Sequence, residues 1–80
     1  MTGYERFRRK ALLTQAQLAD RLHITTAAVC KWEVGGGTPK LSNLVKLSNL
    51  YGVPIEAIMR TDYPETDDGG TIDDKTVPDS

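Results

Sequence analysis

Few side chains in this sequence are of the types that enzymes or metal sites use. Cys30 is the only thiol and His23 the only imidazole, which is too few for a zinc cluster. Glu33 has no second carboxylate paired with it, and no nucleophile lies beside a base. Gly35-Gly36-Gly37 lacks the preceding strand and the lysine spacing of a phosphate-binding loop. The sequence therefore predicts neither an enzyme nor a metal or cofactor site.

The same residue types have simpler structural interpretations. A lone cysteine such as Cys30 is more often a small filler than a redox switch, and it has no partner for an internal disulfide. His23 suits a turn position with positive φ, which histidine tolerates better than most residues. Trp32 follows Val29 at a helical spacing that predicts burial. No secretory signal and no membrane-length apolar run is present, so we expect a cytoplasmic protein without membrane association.

The formal charge of −1 conceals two regions of opposite sign. Residues 1–60 contain nine Lys and Arg against four Asp and Glu, a formal charge of +5. Residues 61–80 contain seven acids and one lysine, a formal charge of −6, and few apolar side chains. Such a segment cannot offset the entropy cost of its own ordering. We predict one basic folded domain over residues 1–60 and a disordered acidic tail over residues 61–80.

Apolar spacing and capping residues predict five short helices in the basic region. Thr14 and Gln17 match a capping box at the start of the second helix, and Thr25 is an N-cap candidate for the third. Gly35 and Gly52 are placed to end the third and fourth helices in left-handed conformations. The predicted helices span residues 3–11, 15–22, 26–34, 40–50 and 54–59. A repeat every three residues predicts that the fourth helix buries Leu41, Leu44, Leu47 and Leu50.

The second and third helices, joined by a tight three-residue turn, have the spacing of a helix-turn-helix. Residues 4–59 resemble the repressor and Cro family of helix-turn-helix DNA-binding domains, as in the lambda and 434 phage repressors. The residues that carry the resemblance are Arg8, Thr14-Gln15-Ala16-Gln17-Leu18-Ala19, Val29, Trp32-Glu33, Gly35, Pro39, Leu44, Leu47, Leu50-Tyr51-Gly52-Val53 and Ile58. The resemblance implies an all-α, five-helix repressor-type domain that binds specific sequences of double-stranded DNA. It also implies a transcriptional regulator acting as a homodimer on a pseudo-palindromic site.

The resemblance assigns candidate DNA contacts to individual positions. It places the third helix in the major groove, where an α-helix can reach base edges. Thr26, Ala27 and Lys31 match the base-contacting positions; Lys31 would donate to guanine O6 and N7, and Ala27 would touch a thymine methyl. Gln15 matches a phosphate-contacting position whose side chain also braces residue 26. The weaker phosphate candidates are Gln17, Thr38 and Lys40.

The resemblance also implies a structural ion pair, between Arg8 and Glu33, that orients the third helix against the first. The chain departs from the family pattern at two turns, where Leu12 and His23 stand in place of a frequent glycine. These departures put the shape of both turns in question. After the third helix, Gly36-Gly37 replaces residues that are often polar or basic, so this loop adds no charge for phosphates.

The acidic tail supports two further hypotheses. In the first, the chain is an antitoxin-like or adaptor module whose tail binds a partner protein, with or without DNA binding. In the second, the tail lies against the basic body as a mimic of DNA and weakens non-specific binding. A free solubilising tail is the simple alternative to both. For the dimer, Ile55, Ile58 and Met59 either contribute to the contact or close the core.

Overall fold

The computed structural model describes residues 1–65 and contains five helices and no strand within that range. The helices are α1 (Gly3–Lys10), α2 (Gln15–Leu22), α3 (Thr26–Glu33), α4 (Leu41–Tyr51) and α5 (Ile55–Met59). The predicted all-α, five-helix fold is therefore confirmed. In the same range no helix has the length and apolar character needed to cross a bilayer. The hypotheses on a disordered, partner-binding or DNA-mimicking tail fall mainly on residues 66–80, which lie outside the described residues.

Local capping explains where α2 and α3 begin. Thr14 Oγ1 accepts a hydrogen bond from the Gln17 N–H at 3.0 Å, and Gln17 Oε1 accepts one from the Thr14 N–H at 2.8 Å. The predicted capping box is therefore present. At the start of α3, Thr25 Oγ1 accepts from the Ala28 N–H at 3.2 Å, so Thr25 is the N-cap that the sequence predicts.

Glycine ends α3 in the predicted left-handed conformation. Gly35 has a φ of +80°, and its N–H donates to the Trp32 carbonyl at 3.2 Å. The next N–H, of Gly36, donates to the Lys31 carbonyl at 2.9 Å. These two bonds form a Schellman motif, which satisfies the last carbonyls of the helix. Gly52 ends α4 in the same region of φ, at +68°.

Two turns hold residues other than glycine in the left-handed region. Leu12, between α1 and α2, has a φ of 60°, and His23, at the end of α2, has a φ of 58°. The predicted positive φ of His23 is confirmed. Both residues adopt the conformation that a glycine would adopt at the same place, so the departures from the family pattern leave the left-handed shape of these turns intact.

The core lies where the helices meet, and its most deeply buried side chains are Leu18, Val29, Leu47 and Ile58. Trp32 is 7% exposed, which confirms its predicted place in the core. Its ring packs against Tyr4 of α1, with ring centroids 6.2 Å apart. Gly3 lies so close to α5 that a Cβ there would stand 2.3 Å from the Ile58 carbonyl oxygen. Of the two roles considered for Ile58, burial shows that it closes the core.

The predicted burial of all four leucines of α4 is wrong. Leu44 and Leu47 are buried, whereas Leu41 is 69% exposed and Leu50 is 37% exposed. Each step of three residues turns an α-helix by about 300°, so residues nine apart lie on roughly opposite sides. A repeat of strictly three residues therefore moves around the helix, and only its two middle members face the core.

The packed region continues past Arg60. The Tyr63 hydroxyl donates to the Ala57 carbonyl at 2.8 Å, and its ring meets the Phe7 ring edge-on, with centroids 6.0 Å apart. The guanidinium groups of Arg6 and Arg60 lie 4.4 and 4.6 Å from the Tyr63 ring centroid. Tyr63 thus joins α1 to the end of α5, although the composition of residues 61–80 predicts that it belongs to the tail.

Candidate nucleic-acid interface

The outer face of α3 is open to solvent. Thr26, Ala27 and Lys31 are all exposed, whereas Val29 and Trp32 on the opposite face are buried. This division follows from the helical period of about 100° per residue, which places Ala27 and Lys31 on one side of α3 and Val29 and Trp32 on the other, with Thr26 at the edge of the exposed side. The three side chains predicted to contact bases therefore share one accessible surface.

A bidentate ion pair connects the end of α3 to α1. Arg8 Nε donates to Glu33 Oε2 at 2.5 Å, and Arg8 Nη2 donates to Glu33 Oε1 at 3.0 Å. The two side chains are only 13% and 4% exposed. The hydrogen bond to Glu33 raises the pKa of Arg8 above its ordinary value, although burial opposes the shift. The pair thus holds α3 in one orientation against α1.

Three more hydrogen bonds extend this ion pair into a network. Arg8 Nη1 donates to the Leu13 carbonyl at 2.8 Å, in the segment that leads into α2. Gln15 Nε2 donates to Glu33 Oε1 at 3.0 Å; a carboxylate only accepts, so the amide nitrogen faces it. The Thr2 hydroxyl donates to the Glu33 backbone carbonyl at 3.2 Å. Both helices of the helix-turn-helix are therefore tied to α1.

The partner of Gln15 differs from the expected one. The resemblance implies that Gln15 braces residue 26, yet its side chain is half-buried and bonded to Glu33. Within residues 1–65 no hydrogen bond joins Gln15 to Thr26. Glu33 has acceptor sites beyond those that Arg8 occupies, so its carboxylate can accept from Gln15 as well.

The start of α2 retains unoccupied backbone donors. The Gln17 N–H is occupied by Thr14, and the Gln17 amide oxygen is occupied in the same capping box. The N–H groups of Gln15 and Ala16 have no acceptor among residues 1–65. Free N–H groups at a helix start, together with the positive end of the helix dipole, favour an anion.

The remaining phosphate candidates lie on the loop between α3 and α4. Thr38 and Lys40 are both exposed, and Lys40 is the N-cap of α4 without a side-chain capping bond. Elsewhere Arg9 pairs with Glu5 at 2.6 Å. In the part of the chain that the structure describes, no ion pair is formed by Lys10, Arg21, Lys31, Lys40 or Lys46.

The five helices, the capped turn between α2 and α3, and the open face of α3 together define a helix-turn-helix domain. The helix-turn-helix family profile matches residues 5–58, and the chain belongs to this family.

Three curated relatives share this region. An HTH-type transcriptional activator, BcrR of Enterococcus faecalis, is 38% identical over 47 residues, which cover 59% of this chain and 23% of the relative. A prophage-derived uncharacterized HTH-type transcriptional regulator, YonR of Bacillus subtilis, is 35% identical over 68% of this chain and 50% of its own length. The cryptic phage CTXphi transcriptional repressor RstR of Vibrio cholerae is 39% identical over 62% of this chain and 46% of the relative. The matched region thus spans half or less of each relative. No solved structure gives a significant match.

Proposed function

We propose that this chain is a transcriptional regulator that binds specific sequences of double-stranded DNA as a homodimeric repressor. The observation that carries the proposal is the exposed face of α3, held rigidly by the network around Glu33. A rigid element serves direct recognition because its side chains keep their positions when they meet the base edges. The names of the similar proteins, which include a repressor and an activator, support a regulatory role.

In the proposed complex α3 enters the major groove with its first residues nearest the base edges. Thr26 offers a hydroxyl that donates or accepts, and Ala27 offers a methyl group that fits a thymine methyl. Lys31, one turn further along, donates to guanine O6 and N7. Each good contact of this kind discriminates against a wrong base by about 1–3 kcal/mol.

Phosphate contacts in the proposed complex come from the start of α2 and the loop before α4. The free N–H groups of Gln15 and Ala16 suit one phosphate oxygen, and the NH₂ group of Gln17 can add a donor. Thr38 and Lys40 suit the backbone on the other side of α3. A homodimer would present two copies of α3 about 34 Å apart, one turn of B-DNA, which calls for a pseudo-palindromic site.

A selection from random duplex DNA with the full chain tests this proposal. We expect enrichment of a site with two-fold related half-sites at low salt. In the Lys31→Ala variant the preference at one position of each half-site should disappear. Lys46→Ala is the matched control, because it removes the same charge from an exposed lysine of α4 and should leave every base preference intact. Failure of the unaltered chain to enrich any site overturns the proposal.

A further inference from the structure

The side chain of Lys31 does not extend freely from α3. An ideal Cβ on Gly36 would lie 3.1 Å from Lys31 Cγ, and one on Gly37 would lie 3.4 Å from Lys31 Cε and 3.5 Å from its Cδ. The aliphatic stem of Lys31 therefore lies against both glycines along most of its length. A Cβ on Gly36 would crowd this stem, whereas a Cβ on Gly37 would be in ordinary van der Waals contact with it.

The backbone gives no other reason for glycine at these two positions. In residues 1–65 the glycines with positive φ are Gly35 and Gly52, so Gly36 and Gly37 adopt conformations open to ordinary residues. A Cβ on Gly35 would meet nothing within 4 Å, whereas Cβ atoms on its two successors would meet Lys31. Backbone conformation thus favours glycine at position 35, whereas at position 36 glycine leaves space for the Lys31 stem, and Gly37 continues the surface that this stem contacts.

The loop is itself tied to the helix that carries Lys31. The Gly36 N–H donates to the Lys31 carbonyl at 2.9 Å, so the glycine that contacts the stem is bonded to the backbone of the same lysine. A lysine stem normally samples many rotamers around its four carbons. Contact with Gly36 and Gly37 removes part of that freedom and limits where the ammonium group can lie beyond the face of α3.

We propose that Gly36 and Gly37 are positioning residues that determine which base Lys31 contacts in duplex DNA. The inference rests on the proposed function, since it concerns the specificity of the same α3 surface. The two glycines bring no charge and touch no base; they act through the placement of the Lys31 ammonium group. Their replacement therefore changes the base preference at one position of the site and leaves the other positions unchanged.

The test measures binding of the full-length Gly36→Ala/Gly37→Ala variant to the selected site and to versions changed at each position. We expect the preference at the Lys31 position to weaken by up to about fivefold to 150-fold, which is the value of one base contact. In a Lys31→Ala background the same two alanines should change no preference. Gly52→Ala, which strains a positive φ but has nothing within 4 Å of its new Cβ, is the control for lost stability alone.

The outcomes separate this inference from the proposed function. If the unaltered chain enriches no site, the proposed function fails. If it enriches a site and the double variant keeps the full preference, the positioning role is wrong. It is equally wrong if Lys31→Ala leaves every preference intact, or if the alanines weaken preference just as much in the Lys31→Ala background. Should the double variant not fold by circular dichroism, Gly36→Ala alone, at the closest contact, provides the same measurement.

Discussion

Removing Arg8 should destabilise the domain more than removing both members of its ion pair. Arg8→Met keeps an unbranched stem but leaves the Glu33 carboxylate, 4% exposed, with Gln15 as its remaining side-chain donor. Breaking a buried pair in this way costs about 3–5 kcal/mol, because one charge stays buried without compensation. A domain of this size has a total stability of about 3–10 kcal/mol, so the variant should lose much of it.

The double variant Arg8→Met/Glu33→Leu removes both charges at once. Replacing a buried ion pair by apolar side chains is often neutral, but here the Leu13 carbonyl and the Gln15 amide also lose their partners. Each such loss costs about 1–3 kcal/mol when water cannot take the partner's place, and less where it can. We therefore expect the double variant to be more stable than Arg8→Met. Its loss of unfolding free energy should be far smaller than the sum of the losses in the two single variants.

Urea unfolding followed by the fluorescence of Trp32, the only tryptophan, measures these free energies. Arg9→Met is the matched control, since its pair with Glu5 is more exposed and spans one helical turn. Such pairs contribute about 0.3–0.5 kcal/mol. The reasoning is refuted if Arg8→Met and Arg9→Met cost the same, or if the double variant is less stable than Arg8→Met.

Three further predictions concern single residues. Leu12→Gly should raise the unfolding free energy by about 0.5–1 kcal/mol, because Leu12 is 81% exposed at a φ of 60° and loses strain without losing packing. Leu41→Gly, at an exposed position in the first turn of α4, relieves no strain and should lower the unfolding free energy by up to about 1 kcal/mol. Thermal unfolding of both variants measures the difference, and destabilisation by Leu12→Gly would contradict the argument. Tyr51→Phe should be at least as stable at neutral pH, since the buried hydroxyl has no hydrogen-bond partner among residues 1–65. Burial raises the pKa of Tyr51 to about 12, above its unfolded value of 10.0. The wild type should therefore lose stability as the pH rises between these values, and Tyr51→Phe should lose less. Equal slopes of unfolding free energy against pH for the two proteins would refute this. Tyr63→Ala should lower the unfolding free energy in urea by about 1–3 kcal/mol, and Tyr63→Phe by about 1 kcal/mol for the lost bond to the Ala57 carbonyl. If neither variant is destabilised, the segment after α5 contributes nothing to stability.

The helix-turn-helix was predictable because its signals are local. The capping box at Thr14, the N-cap at Thr25 and the left-handed Gly35 each depend on residues a few positions apart. Burial on α4 was predicted less well. A repeat of three residues follows an apolar stripe for one helical turn, but over three turns it moves around the helix and away from that stripe. The full helical period, applied to Leu41 and Leu50, gives the observed exposure.

Contacts between distant parts of the chain were harder to predict. The bond from Gln15 to Glu33 joins residues 18 positions apart, and the sequence pattern of either helix alone does not indicate it. Tyr63 lies among acids and prolines, whose composition predicts disorder. Its packing depends on Phe7 and on two arginines that flank its ring, which only the three-dimensional arrangement brings together.

The same arrangement changes what the charge of the basic region can contribute to DNA binding. Arg8 pairs with Glu33, Arg9 with Glu5, and Arg60 with Asp62 at 2.6 Å. Each of these positive charges is therefore largely compensated by a neighbouring carboxylate. Non-specific affinity grows with the number of phosphates that cations neutralise. With these three arginines engaged, we expect the proposed complex to gain most of its discrimination from base contacts, which demand accurate placement. The network at Glu33, which orients α3, and the contacts of Gly36 and Gly37 with the Lys31 stem are the two features that we propose supply such placement.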